Sequence, residues 1–180
     1  MTKEDYIKEL ELRCKNTADF FFQEKFEEGP PIGIIGFDNY PRKEEFTYFT
    51  YGLHLVGKEE WVRGTPEYFL TIDNGNRNFA VFFAYIMSIF SFEKSMTWGT
   101  LLGIDEAAVE GFPYRRIALG QPHYLDWKNY QFGDSDLPIN LGMAYLISDA
   151  DFIEAAQVGF SYLEQMMETD HDYWKKLQHN

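Results

Sequence analysis

One cysteine, Cys14, stands in 180 residues, so no disulfide can form within the chain and a reducing compartment is the expected setting. Long apolar runs are missing too. The most apolar stretch, Phe79 to Phe92, is shorter than the roughly 20 residues a membrane-spanning helix needs. The opening residues, Met1 to Leu12, are charged and have no apolar core of a secretion signal. A cytoplasmic protein with no membrane partner is therefore expected. Basic residues are also scarce: 16 Lys and Arg stand against 29 Asp and Glu, for a net charge of −13. The acidic surplus runs through both halves of the chain. Such a surface repels phosphate backbones, which argues against a nucleic-acid partner. It attracts cationic partners and speeds their encounter, although surplus Asp and Glu also serve solubility alone.

The residue patterns of several chemistries are lacking as well. Four histidines, His54, His123, His171 and His179, include no pair at the spacing of a helical zinc motif. No Gly-x-Ser-x-Gly elbow is present. Gly33-x-x-Gly36 lacks the Lys-Ser/Thr ending of a phosphate loop. The acidic turns Asp73-Asn74-Gly75-Asn76 and Asp134-Ser135-Asp136 do not complete the oxygen set of a calcium loop. Asp105 and Glu106 are merely adjacent, and their sequence positions define no separation for general acid and base work. Cys14 reads as a small core residue, Ser148 as a helix cap and His54 as a hydrogen-bonded strand histidine. The expectation is a chain with no catalytic residue, no metal and no cofactor, which acts by binding another protein.

Aromatic residues are plentiful at 18%, within a hydrophobic share of 45%, which excludes disorder. A chain of this length buries about 70% of its unfolded surface and needs no staples. Thr2 with Asp5 resembles a capping box, and apolar residues from Tyr6 onward predict a helix from Thr2 to about Phe26. Gly29-Pro30-Pro31 ends it. Strands are predicted over Ile32–Phe37, Phe46–Val56 and Glu67–Ile72, with potential over Thr100–Ile104 and Arg115–Leu119, and again over Ile139–Ile147. Phe46–Val56 carries large apolar groups on both faces, which suits a central strand. Phe79–Phe92 predicts a buried helix. Ser148 predicts the N-cap of a last helix reaching Met167. The fold class is α+β, a central mixed sheet flanked by N-terminal, middle and C-terminal helices. One domain over 1–180 is expected; the alternative is two lobes hinged near Glu93–Met96.

The segment Tyr124–Pro138 is aromatic and turn-rich and predicts a long loop. With Trp98 it contributes a cluster of Tyr124, Trp127, Tyr130 and Phe132, set among Asp126, Asp134 and Asp136. Trp and Tyr are enriched at interface hot spots because they bury much area with few rotors. Trp127, Tyr130, Asp134 and Asp136 are therefore the candidate partner-binding residues. The competing reading is that these rings pack the loop onto the sheet.

Three segments carry a family resemblance: Tyr48-Phe49-Thr50-Tyr51-Gly52, Pro66-Glu67-Tyr68-Phe69-Leu70-Thr71 and Thr97-Trp98-Gly99. With the strand-to-helix run Ala144–Phe152, they resemble the suppressor-of-fused-like domain over roughly residues 35–167. One departure is the aromatic Tyr51 between Thr50 and Gly52. The resemblance implies an α/β fold with a mixed sheet between helices. It also implies that the Thr-Gly, Glu-Leu and Trp-Gly positions shape the fold rather than catalyse. Eukaryotic members sequester transcription factors by clamping a peptide strand. Small bacterial members, which this chain matches in size, are associated with toxin systems as immunity proteins. The expectation is an immunity-type protein that binds and neutralises a basic toxin domain. The alternative is a regulatory scaffold that captures a peptide strand of its partner.

Overall fold

A computed structural model describes residues 1–25, 31–73, 78–104, 115–133 and 136–170. The elements, in chain order, begin with helix α1 (Lys3–Cys14) and the antiparallel strands β1 (Phe20–Glu24), β2 (Ile32–Asp38), β3 (Glu45–Tyr51) and β4 (Thr65–Asp73). A single 3-10 turn, Leu53–Leu55, lies between β3 and β4. Helix α2 (Asn78–Phe90) follows, then β5 (Leu101–Gly103), β6 (Arg116–Gly120), β7 (Gln131–Phe132) and β8 (Ile139–Ile147), and lastly α3 (Asp149–Val158) and α4 (Ser161–Thr169).

These described strands form one mixed sheet in the order β1-β2-β3-β4-β8-β6-β5, with β7 paired to the start of β8. Every pairing is antiparallel except β4 with β8, which run parallel from Thr65↔Ile139 to Phe69↔Met143. Strands from both sides of Glu93–Met96 share this sheet. Helix α2 covers one face, packing Phe83, Ile86 and Met87 against Tyr48, Leu70 and Leu146. Helices α1, α3 and α4 and the loop before β8 cover the other, where Tyr6, Leu10, Phe132 and Leu163 meet Phe49, Phe69 and Tyr145. Successive strand residues point to opposite faces, so Tyr48 and Phe49 serve different layers. That is why β3 reads as apolar throughout.

Three boundaries differ from the sequence reading. The first helix stops at Cys14 rather than near Phe26, because Lys15 takes a left-handed conformation (φ 52°) and its amide N–H caps Glu11 O. Phe20 and Phe22 then turn inward as strand residues while Phe21 stays half exposed. The strand expected to reach Val56 ends at Tyr51, where Gly52 turns the chain at φ 119°. The last helix is two: Gly159, at φ 105°, separates α3 from α4. The Ser148 cap is present, its hydroxyl accepting from the Asp151 amide. Asn74–Asn76, Asp105, Glu106, Asp134, Ser135 and the segment 171–180 lie outside the described residues. Among the described residues no helix is long and apolar enough to cross a membrane.

Candidate functional site

Two clefts lie back to back at the end of the sheet where the parallel pair begins. Strands β4, β8 and β7 each give one residue to either side. Pro66, Asn140 and Gln131 line a groove of about 520 Å³ on the α2 face. Their chain neighbours Thr65, Ile139 and Phe132 line a cleft of about 370 Å³ on the α1 face. The period of two along a strand accounts for this division.

The groove on the α2 face has two walls. One is the segment Glu60–Gly64, and the other is Met96–Trp98 after α2. Three side chains hold the second wall by its backbone carbonyls. Lys58 Nζ donates to Phe92 O at 3.0 Å and to Lys94 O, Trp61 Nε1 to Ser95 O at 2.7 Å, and the Tyr68 hydroxyl to Met96 O at 2.7 Å. Burial pushes the Tyr68 phenol well above its ordinary pKa, so it remains a donor. Met96 is fully buried, whereas Trp98 is 52% exposed and Val62, on the facing wall, 76%. The Trp98 indole nitrogen lies against Gly142 of β8. A Cβ there would stand 3.1 Å from that nitrogen and 2.4 Å from Tyr68 Cε1. An absent side chain thus seats the indole. An aromatic residue and an aliphatic one are presented to solvent on fixed backbone, the arrangement of an interface anchor.

The wall between the two clefts is braced by Glu67 on β4, which is wholly buried. The β3–β4 backbone ladder ends at Phe49↔Phe69, and side chains take over from it. Glu67 accepts from the Thr50 hydroxyl, from the Gly52 amide at 2.8 Å, from the His54 amide at 3.1 Å and from His54 Nδ1 at 2.6 Å. Thr50 Oγ1 accepts in turn from the Tyr68 amide at 2.8 Å. A buried carboxylate is tolerable only when so satisfied. Thr50, Gly52 and Glu67 thus form one knot that bends the chain into the 3-10 turn, a shaping role for three residues of the resembling segments. The extra aromatic, Tyr51, packs beside the His54 ring, with centroids 5.0 Å apart.

The candidate partner-binding residues fall elsewhere. The Trp127 ring stacks on Phe49 at 5.8 Å, its indole donating to the Tyr40 hydroxyl at 2.8 Å. Tyr130 stacks on Phe69 at 6.5 Å and donates its hydroxyl to Leu125 O. Both are half-buried and close the α1 face of the sheet. Arg13 of α1 secures this loop by donating to Asn129 O at 2.8 Å and Gln131 O at 2.6 Å. Asp136 is exposed, and Asp134 lies outside the described residues. Of the described three, Trp127 and Tyr130 pack onto the sheet and Asp136 faces solvent. Sequence reasoning named Trp98 as a member of the cluster and as a fold-shaping position of the resembling segments, and passed over Val62. A turn-rich stretch, Gly57 to Gly64, was the one sequence signal for that wall. Among the described residues no three of His, Cys, Asp and Glu converge as a metal set.

A mixed sheet between helical layers is the suppressor-of-fused-like fold. Two solved structures share it. A crystal structure of a suppressor of fused homolog from Neisseria gonorrhoeae FA 1090 superposes with a TM-score of 0.69 at 15% identity, covering 94% of this chain and 93% of that one. A crystal structure of the Sufu–Fu complex superposes with a TM-score of 0.60 at 10% identity, covering 91% of this chain and 83% of that one. By sequence, no family model and no curated protein matches the chain.

Proposed function

We propose that this chain is a non-catalytic protein-binding domain that takes its partner against the Val62–Trp98 groove, and that the partner is a cationic toxin domain neutralised by the contact. The observation that carries the reading is Trp98, half exposed on a wall pinned by Lys58, Trp61 and Tyr68. Exposed aromatics on fixed backbone bind with little ordering cost. A net charge of −13 favours a basic partner. The second structure sharing the fold is itself a complex, of Sufu with Fu.

Pull-down from the native organism tests the proposal. A basic protein should be captured, and cells making it should be protected by this chain. Trp98→Ala and Val62→Asp should each weaken capture by roughly thirtyfold, as loss of about 2 kcal/mol at a hot spot requires, with no change in thermal unfolding. Undiminished capture by both variants would sink the groove assignment. Turnover of a small substrate, abolished by a single side-chain change, would sink the non-catalytic reading.

One observation favours a second reading, capture of a peptide strand. Strand β1 stands at the end of the sheet, with β2 as its sole described pairing partner, and such an edge accepts an added strand. Binding of that kind would survive Trp98→Ala and protect the Phe20–Glu24 amides from hydrogen exchange.

A further inference from the structure

Strand β1 ends the sheet, and among the described residues its pairing is with β2 alone, from Phe20↔Gly36 to Glu24↔Ile32. Its five residues, Phe-Phe-Phe-Gln-Glu, include no proline or lysine of the kind that blunts an exposed edge. Alternation divides its side chains between the two faces. Phe20 and Phe22 pack with the core on the α2 face. Phe21 and Gln23 point to the α1 face, where Phe21 is 50% exposed and Gln23 is exposed. Carried one residue beyond each end of the strand, the same alternation adds Asp19 and Lys25, both exposed. Along that face the order is acid, ring, amide, base, which is its own complement when reversed. Asp19 accepts from the Asp38 amide through Oδ2 at 3.0 Å. Lys25 makes no ion pair among the described residues. Lys3 reaches the edge from α1, its Nζ donating to Gln23 Oε1 at 3.2 Å. Asp19 and Glu24 are thus balanced by Lys3 and Lys25, in a chain whose net charge is −13. Two such chains repel as wholes, but this strip is locally neutral.

We propose that β1 is the contact through which two copies of this chain form a dimer, their β1 strands antiparallel about a two-fold axis at Phe22. A two-fold contact is self-complementary, residue i meeting j while j meets i. In this register Asp19 stands opposite Lys25 of the second copy, once at each end. Phe21 stands opposite Gln23 of the second copy and diagonal to that copy's Phe21, within the reach of aromatic side chains. Phe22 meets its own counterpart on the other face. An axis at Phe21 would instead set Asp19 opposite Gln23 and leave both charges unmatched. The matching ends of the strip make a second copy its occupant, since the complement is already written in the chain. This proposal does not rest on the Val62–Trp98 groove, which draws on β4, β7 and β8, so either assignment can fail alone.

Sedimentation equilibrium of the whole chain is the test. Dimers should form with a dissociation constant of roughly 10–100 µM, as suits a small interface. Amides of Phe20–Glu24 should gain protection from hydrogen exchange as the chain's own concentration rises with no other protein present, which separates this contact from capture of a foreign strand. Asp19→Lys and Lys25→Glu should each weaken the dimer roughly tenfold, because each sets like charges opposite one another at both ends. Mixed in equal amounts, the two variants should pair with each other about as tightly as the wild type, because every facing charge is then unlike. A folding defect would not be mended by mixing. Should Asp19→Lys fail to fold through loss of its bond to Asp38, Lys25→Glu and the wild-type exchange data decide. A chain that stays monomeric to about 1 mM, protection confined to amides outside β1, single variants that dimerise like the wild type, or no recovery on mixing would overturn the proposal.

Discussion

At the scale of single residues, Glu67 does the most with the least exposure. Its carboxylate collects donors from Thr50, Gly52 and His54, and leaving a buried donor without its acceptor costs about 1–3 kcal/mol. Glu67→Gln should approach that loss in a denaturant titration, because the amide turns a donor toward groups that themselves donate. Thr50→Val removes an acceptor of the Tyr68 amide as well as a donor and should cost somewhat less. Cys14 gives a second prediction at this scale. Burial pushes its thiol up to about 12, opposed weakly by Tyr40 and Arg13. A thiol reagent near neutral pH should therefore label the native protein only as fast as it opens, and label the unfolded chain at once. The core role of Cys14 was legible from its place in the stripe Tyr6–Leu10–Cys14. The Glu67 knot was not, because Thr50, His54 and Glu67 belong to different elements and nothing in their spacing announces the meeting.

At the scale of elements, the interiors of strands and helices were easier to read than their ends. β2, β4 and β8 fall where alternating or continuous apolar runs predict them. The ends were set by backbone geometry at Lys15, Gly52 and Gly159, each at positive φ. Phe20–Glu24 was missed because Phe21 and Phe22 fit a helical stripe as well as a strand, and only pairing with Ile32–Gly36 decides between them. The middle of β8 offers a prediction. Gly142→Ala would drive a methyl into the Tyr68 ring, which is buried and tethered through its hydroxyl to Met96 O. The strand should lose about 1–3 kcal/mol, as overpacking does. The Trp98 indole should shift with it, visible as altered tryptophan emission. Unchanged stability would mean that Tyr68 has room the structure does not show.

For the molecule as a whole, both faces of the sheet are sealed by aromatic residues, and that has a consequence at high pH. Burial raises the phenols of Tyr6, Tyr68 and Tyr145 well above the ordinary 10.0. Below about pH 9 these groups hold their protons in both folded and unfolded chains and add no slope. Above it, the unfolded chain ionises Cys14 and then its tyrosines while the folded one does not. Stability should therefore fall as pH rises past the ordinary values of 9.0 and 10.0, with tyrosinate absorbance appearing together with unfolding. The architecture was legible from the order of apolar segments. The two clefts were not, since each depends on β4, β7 and β8 arriving side by side.

That arrival has a kinetic meaning. Strands β1 to β4 form a meander of sequence neighbours, but the β4–β8 pairing joins segments separated by α2, β5, β6 and β7, and closing so long a loop is entropically slow. Each cavity is assembled from residues on both sides of that late seam. A half-made chain can hence own a sheet without owning either cavity, and capture of a partner in the groove would serve as a clock for the final step of maturation.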